Sequence, residues 1–387
     1  MGSKSKKFST KCVHEGEIKD TMYQGIVSPL FMSTTYPWFG GDDPEKKPYP
    51  RYFNTPNQEF LSKKIASLEN GEKALIFTSG MAAISTSIMA NVKTGDHIVV
   101  QNDIYGGTRN FVLTEFDKFG IEYSFTDGLD PLNFSDQIKD NTVGIYLETP
   151  SNPLLKIVDL KSVSSIAKDN GVWTMIDNTF SSPVNQNPID HGIDIVLHSA
   201  TKYLGGHSDI SAGAVISTES RIEQILNSAK NFGGNLSDYT VWLLERSIKT
   251  LHIRVKEQTN NAKILAKMLD ENTNISKVYY PGLESHPSHE IAKSQMNDFG
   301  GMMSFDLNNN VDVYDFLKSL NLVKPGMSLA GVETTVNFPM KTSHGLMTQK
   351  ERDIQGIGDK LIRLSVGIES YEDIYEDLDQ AIKSSIK

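Results

Sequence analysis

Between residues 74 and 197, apolar positions come in short runs separated by longer stretches in which they recur every three or four residues. The runs at residues 74–77, 97–101, 122–125, 142–147, 173–176 and 195–197 read as strands, being too short for helices and apolar enough to be buried on both faces. The periodic stretches between them predict helices over residues 81–91, 108–119 and 160–170, with an amphipathic helix over about 58–69 ahead of them. Strand and helix in strict turn predict a mostly parallel sheet covered on both faces. In such sheets ligands lie beyond the carboxyl ends of the strands.

On either side the pattern changes. Residues 8–48 show weak periodicity and many turn formers, among them Pro29, Pro37, Gly40, Gly41, Pro44 and Pro48, and read as an extended arm. The arm ends in the aromatic loop Tyr49-Pro50-Arg51-Tyr52-Phe53. A long helical stretch over residues 238–270 leads to a smaller α/β unit, with strands at 277–280, 301–307 and 361–366 and a helix at 311–320. The expected division is an arm and inter-subunit loop (1–57), a cofactor-binding α/β domain (58–245) and a C-terminal α/β domain (246–387).

Composition narrows the function. A net charge of -10 disfavours nucleic acid and anionic membrane as partners, since both need a basic footprint. Cys12 is the only cysteine, which excludes an intrachain disulfide, suits a reducing compartment, and leaves Cys12 itself a structural residue. No run approaches the ~20 apolar residues of a membrane span, and the basic start MGSKSKKFSTK has no apolar segment after it, so a cytoplasmic location is expected. His286 and His289 read as solvated loop histidines, and no metal site is expected.

The candidate chemistry falls at the strand ends. Ser79-Gly80-Met81 stands at the mouth of a helix, whose free N–H groups and positive dipole end favour an anion. Tyr105 follows the second strand, Asn152 the fourth, Asp177 the fifth, and Ser199-Ala200-Thr201-Lys202 the sixth. Singly, each has a plain structural reading: a helix cap for Ser79, a surface lysine for Lys202. Together they make one cofactor site. Pyridoxal 5'-phosphate needs an amine for its aldehyde, donors for its phosphate, an anion near its ring nitrogen and a flat partner for its face. Lys202 supplies the amine, Asp177 keeps the ring nitrogen protonated and Tyr105 stacks on the ring. The amides of Ser79, Gly80 and Met81 hold the phosphate with Ser199 and Thr201, and Asn152 faces the ring hydroxyl.

The segments SATKYLGGHSD, IDNTF, TSGMAA, ETPSNP, YGGT, YPR and IRLSVGIE resemble those of the Cys/Met-metabolism family of pyridoxal-phosphate enzymes. That family includes cystathionine γ-synthase, cystathionine γ- and β-lyases, methionine γ-lyase and O-acylhomoserine sulfhydrylases. The resemblance implies the aminotransferase type I fold, a large mostly parallel-sheet domain plus a smaller C-terminal α/β domain, and a homotetramer built as a dimer of dimers. It implies that Tyr49 and Arg51 reach the neighbouring subunit's site, that Arg363 binds the substrate α-carboxylate, and that Ser328 orients Lys202. Catalysis falls to Lys202, as the base that removes the α-proton, with Tyr105 as acid for the leaving group and Asp177 at the ring. The leading activity is carbon–sulfur cleavage of cystathionine or a related small sulfur amino acid by γ- or β-elimination. A γ-replacement enzyme is the alternative. Methionine γ-lyase ranks behind, because Gly107 stands where those enzymes typically carry a cysteine; Met327 stands where cystathionine γ-synthases and γ-lyases often have a glutamate. A cofactor-binding protein without turnover is the remaining class, and the joint presence of Lys202, Asp177, Tyr105 and Arg363 argues against it.

Overall fold

The computed structural model describes residues 6–38, 40, 47–126, 128–345 and 347–387; the turn formers Gly41 and Pro44 lie outside them. Seven strands form the larger sheet: β1 (Lys73–Phe77), β2 (His97–Val100), β3 (Glu122–Phe125), β4 (Thr142–Glu148), β5 (Trp173–Asp177), β6 (Ile195–His198) and β7 (Gly213–Ser217). Their order is β1-β7-β6-β5-β4-β2-β3, and only β7 runs antiparallel to its neighbours. The sheet is therefore mostly parallel, as the alternating pattern predicts. Its strands are apolar because helices cover both faces, the requirement for a parallel sheet.

Strand β7, one in from the β1 edge, has no counterpart among the expected strands. Its sequence, GAVIS, is short and follows a glycine-rich turn, so it reads as loop; burial between β1 and β6 makes it a strand. The helix Glu219–Phe232 behind it is likewise additional. The N-terminal arm also departs from expectation, because Phe8–His14 is helical and inserts Cys12 into the main core. Burial pushes the Cys12 thiol up to about 11, so it is a packing group and not a reactive one.

The stretch 238–270 is two helices, Asp238–Ile248 and Leu251–Asp270, broken at Lys249 and Thr250. Leu251 and Val255 of the second helix pack into the main core, whereas Ala262, Leu265 and Leu269 pack into a second one. This helix is thus shared by both units. The second core covers a five-stranded sheet of β8 (Ile275–Tyr279), β9 (Met302–Leu307), β10 (Lys324–Pro325), β11 (Thr335–Asn337) and β12 (Leu361–Ser365), ordered β10-β11-β12-β9-β8 and antiparallel except for β10 with β11. The C-terminal helix Tyr371–Ser384 closes it, burying Ile374, Leu378, Ala381 and Ile382, a three-to-four spacing that makes one apolar stripe. His286 is buried, not solvated: its ring accepts from the Ser288 N–H at 3.2 Å, and burial pulls its pKa down to about 4. His289 bonds the Pro281 carbonyl at 2.8 Å. No helix among the described residues is long and apolar enough to cross a membrane.

Candidate active site

Three parallel strands end abreast: Glu148 of β4 pairs with Asp177 of β5, which pairs with Leu197 of β6. Beyond β6 the chain turns through Ser199 to Lys202 and reverses at Gly206, whose N–H bonds the Lys202 carbonyl at 2.7 Å. Gly206 has φ +69°, and a Cβ there would lie 1.8 Å from Nη1 of Arg254, so only glycine fits. The guanidinium that fills this space donates to the Tyr203 carbonyl at 3.0 Å and fixes the lysine-bearing turn.

Lys202 Nζ donates to Ser328 Oγ at 2.8 Å. Burial pulls its pKa down from 10.5 to about 8, Arg363 adds to the effect and Asp177 opposes it. A depressed pKa makes this amine a competent base near neutral pH. Asp177 is buried and accepts the Thr179 N–H at 3.0 Å. Burial pushes its carboxyl up, while the Thr179 hydrogen bonds and the nearby His198 and Lys202 pull it back. Behind the sheet, His198 is held by Glu69 at 2.5 Å, and Asn178 donates to the same carboxylate at 2.9 Å.

Ser79 caps the helix Gly80–Ala90, its Oγ accepting the Ala82 N–H at 3.1 Å. The amides that open a helix have no intrahelical partner, and here they face the same cavity as Ser199 and Thr201. A Cβ on Gly80 would lie 2.8 Å from the Ser199 Cβ, so the missing side chain lets the cradle close. At the opposite end, Arg363 of β12 donates to Asn152 Oδ1 at 3.0 Å and to the Ser328 carbonyl at 3.4 Å. Its Nε is buried with no partner among the described residues. Burial lowers its pKa to about 10, opposed by Glu148, so it stays cationic. A buried guanidinium with an unmet N–H is matched to a planar carboxylate.

Ser79, Gly80, Met81, Tyr105, Asn152, Asp177, Ser199, Thr201, Lys202 and Arg363, all singled out in the sequence, line one cavity of about 230 Å³. Ser328 joins them through Lys202. Tyr49 and Arg51 do not: they stand on the turn Pro50–Tyr52, where Arg51 donates to the Lys230 carbonyl at 2.5 Å. Sequence reasoning passed over Glu148 and Thr179, which line the cavity as well. The signal for Glu148 was its place at a strand end, beside the Asn152 that drew attention. A second cavity of about 370 Å³ adjoins the first and shares Tyr105, Met327 and Ser343 with it.

The donor set fits pyridoxal 5'-phosphate: a helix N-terminus with two hydroxyls for the phosphate, a buried carboxylate for the ring nitrogen, and a lysine of lowered pKa between them. Fold and site together define an α/β enzyme built around that cofactor. The chain belongs to the Cys/Met metabolism PLP-dependent enzyme family, whose profile matches residues 9–383. It is similar to a cystathionine beta-lyase of Lactococcus lactis subsp. cremoris, with 42% identity over 97% of this chain and 98% of the relative. It is similar also to a cystathionine gamma-lyase of Bacillus subtilis, at 40% identity over 98% of this chain and 100% of the relative. Among solved structures, a cystathionine gamma synthase of Xanthomonas oryzae pv. oryzae, in complex with aminoacrylate and cysteine, superposes with a TM-score of 0.95 at 35% identity, covering 99% of both chains.

Proposed function

We propose that this protein is a carbon–sulfur lyase that cleaves cystathionine or a related small sulfur amino acid by γ- or β-elimination. The observation that carries this reading is the Lys202 amine, lowered to about 8 and oriented by Ser328, in one cavity with Asp177 and the unsatisfied Arg363. Pyridoxal phosphate, when bound, supplies an aldehyde carbon and an electron-accepting pyridinium ring. Asp177 holds the ring nitrogen's proton. The Ser79, Gly80 and Met81 amides, with Ser199 and Thr201, bind the phosphate. Arg363, braced by Asn152, takes the substrate α-carboxylate and so presents the α-proton to Lys202 Nζ. For γ-elimination Lys202 also moves a β-proton, and Tyr105 protonates the departing sulfur.

Met327 is 76% exposed at the mouth of both cavities, and Gly107 leaves room for the Tyr105 ring, since a Cβ there would lie 2.5 Å from its Cε1. The same machinery serves γ-replacement, and the similarity to a synthase keeps that reading second. Product analysis with L-cystathionine separates them. Cysteine with 2-oxobutyrate means γ-elimination, homocysteine with pyruvate means β-elimination, and no 2-oxo acid, followed by thioether formation from an O-acylhomoserine and a thiol, means replacement.

The proposal includes a cytoplasmic homotetramer, a dimer of dimers in which Tyr49 and Arg51 complete the neighbour's site, and the chain division 1–57, 58–245 and 246–387. Support comes from the arm, which exposes Met22, Tyr23 and Ile26 at 77%, 84% and 95%, an apolar run out of place on a lone subunit. Light scattering on the cofactor-loaded protein tests the assembly; a monomer would overturn it.

A further inference from the structure

β4 ends on Glu148, a carboxylate 4% exposed that lines the cavity beside Asp177. Partners in register point to the same face, so two acids stand abreast where the cofactor needs one anion. Glu148 is held on its backbone by the buried Gln101 side chain, which accepts its N–H at 3.0 Å and donates to its carbonyl at 2.9 Å. From this anchored base its Oε2 accepts the Tyr105 N–H at 2.7 Å. Tyr105 is the N-cap residue of the helix Gly106–Phe119, so this bond holds the backbone at the point where the helix begins. The Tyr105 ring is 42% exposed.

We propose that Glu148 is a positioning residue that acts through its hydrogen bond, fixing the Tyr105 backbone so that the ring lies over the cofactor face and its hydroxyl reaches the leaving group. Burial and the adjacent Asp177 both push the Glu148 carboxyl up, opposed by the Tyr105 and Asn152 backbone N–H groups. The carboxyl accepts from Tyr105 through one oxygen, ionised or not. This inference rests on the proposed roles of Tyr105 and Asp177.

The test compares Glu148→Gln, Glu148→Asp and Glu148→Ala as holoenzymes, reading cofactor affinity, the circular dichroism of the cofactor band, and kcat and KM separately. Glutamine keeps an acceptor of the same length, and all four readouts should stay within about threefold of the unmodified protein. Alanine removes the acceptor and aspartate withdraws it by one methylene. Both should weaken cofactor binding roughly five- to tenfold, the size of a misaligned aromatic contact, alter the dichroism, and lower kcat on the order of a hundredfold with KM little changed, as loss of a general acid does. A Gln variant damaged as badly as the Ala variant would overturn the inference, because charge would then be what matters. So would Asp and Ala variants with unchanged dichroism and kcat. Aspartate keeps the site polar and guards against a misfolded alanine variant. Failure of the unmodified protein to bind pyridoxal phosphate would refute the cofactor assignment itself, a separate result.

Discussion

Lys202→Met should stabilise the cofactor-free protein at neutral pH, and the gain should vanish on going to high pH. The Lys202 pKa falls from 10.5 to about 8 on folding. At about 1.4 kcal/mol for each unit of pKa, an ammonium in this site costs about 3 kcal/mol relative to the unfolded chain. Between pH 8 and 10.5 the unfolded state holds more protons than the native one, so this group makes stability rise with pH across that window. Below pH 8 the native state carries the buried ammonium and bears the full cost. Methionine has similar length and no charge, and loses only the hydrogen bond to Ser328, worth about 1 kcal/mol. The variant should therefore be more stable by about 2 kcal/mol at pH 7, with a difference near zero or slightly reversed above pH 10.5. Guanidinium unfolding of both cofactor-free proteins, followed by tryptophan fluorescence at several pH values, measures the difference and cancels other titrating groups. A difference independent of pH, or an unmodified protein more stable at pH 7, would refute the argument that burial depresses this amine.

Arg363→Lys should raise KM for the amino-acid substrate by about tenfold to a hundredfold with a smaller effect on kcat, since an ammonium cannot make the forked contact; steady-state kinetics measure both. Met327→Glu places a carboxylate at the exposed mouth of the cavities, and should raise kcat/KM for cystathionine, which carries a distal ammonium, relative to methionine; competition between the two substrates reads the ratio. Phe305→Ala empties a fully buried site in the second core, where its ring meets Phe316 edge-on at 6.4 Å. The loss should be about 3–5 kcal/mol in chemical unfolding.

The parallel half of the large sheet was legible because each of its strands is an apolar run that ends in a change of chemistry. Leu147 gives way to Glu148, Ile176 to Asp177 and Leu197 to His198, and those junctions are where the site lies. What escaped was structure decided by distant partners. β7 is a strand because β1 and β6 flank it, although its own five residues follow a glycine turn. The break at Lys249 and Thr250 has no proline or glycine to announce it. Glu148 escaped for a related reason: an acid at a strand end has many uses, and only the register with Asp177 and the bond to Tyr105 give it one.

Charge in the cavity also bears on the proposed assembly. Its lining holds two cations, Lys202 and Arg363, and two acids, Asp177 and Glu148. With cofactor and substrate bound, Lys202 would serve as the base at the α-carbon, Arg363 would be committed to the α-carboxylate and Asp177 to the ring nitrogen. The phosphate, close to a dianion, is left with neutral amides and hydroxyls and a helix end equivalent to roughly half a positive charge. Neutral donors satisfy its hydrogen bonds but not its charge, and a buried charge is costly unless it is paired. No third cation lines the cavity among the described residues. Arg51 is exposed, stacked at 5.6 Å and 5.2 Å from the rings of Tyr49 and Tyr52, and is not among the residues that line its own chain's cavity. In the proposed dimer, the guanidinium presented on this aromatic turn meets the phosphate's need in the neighbouring copy. Within the proposed dimer, the arm would let one subunit supply, through Arg51, the charge that the other's phosphate site lacks.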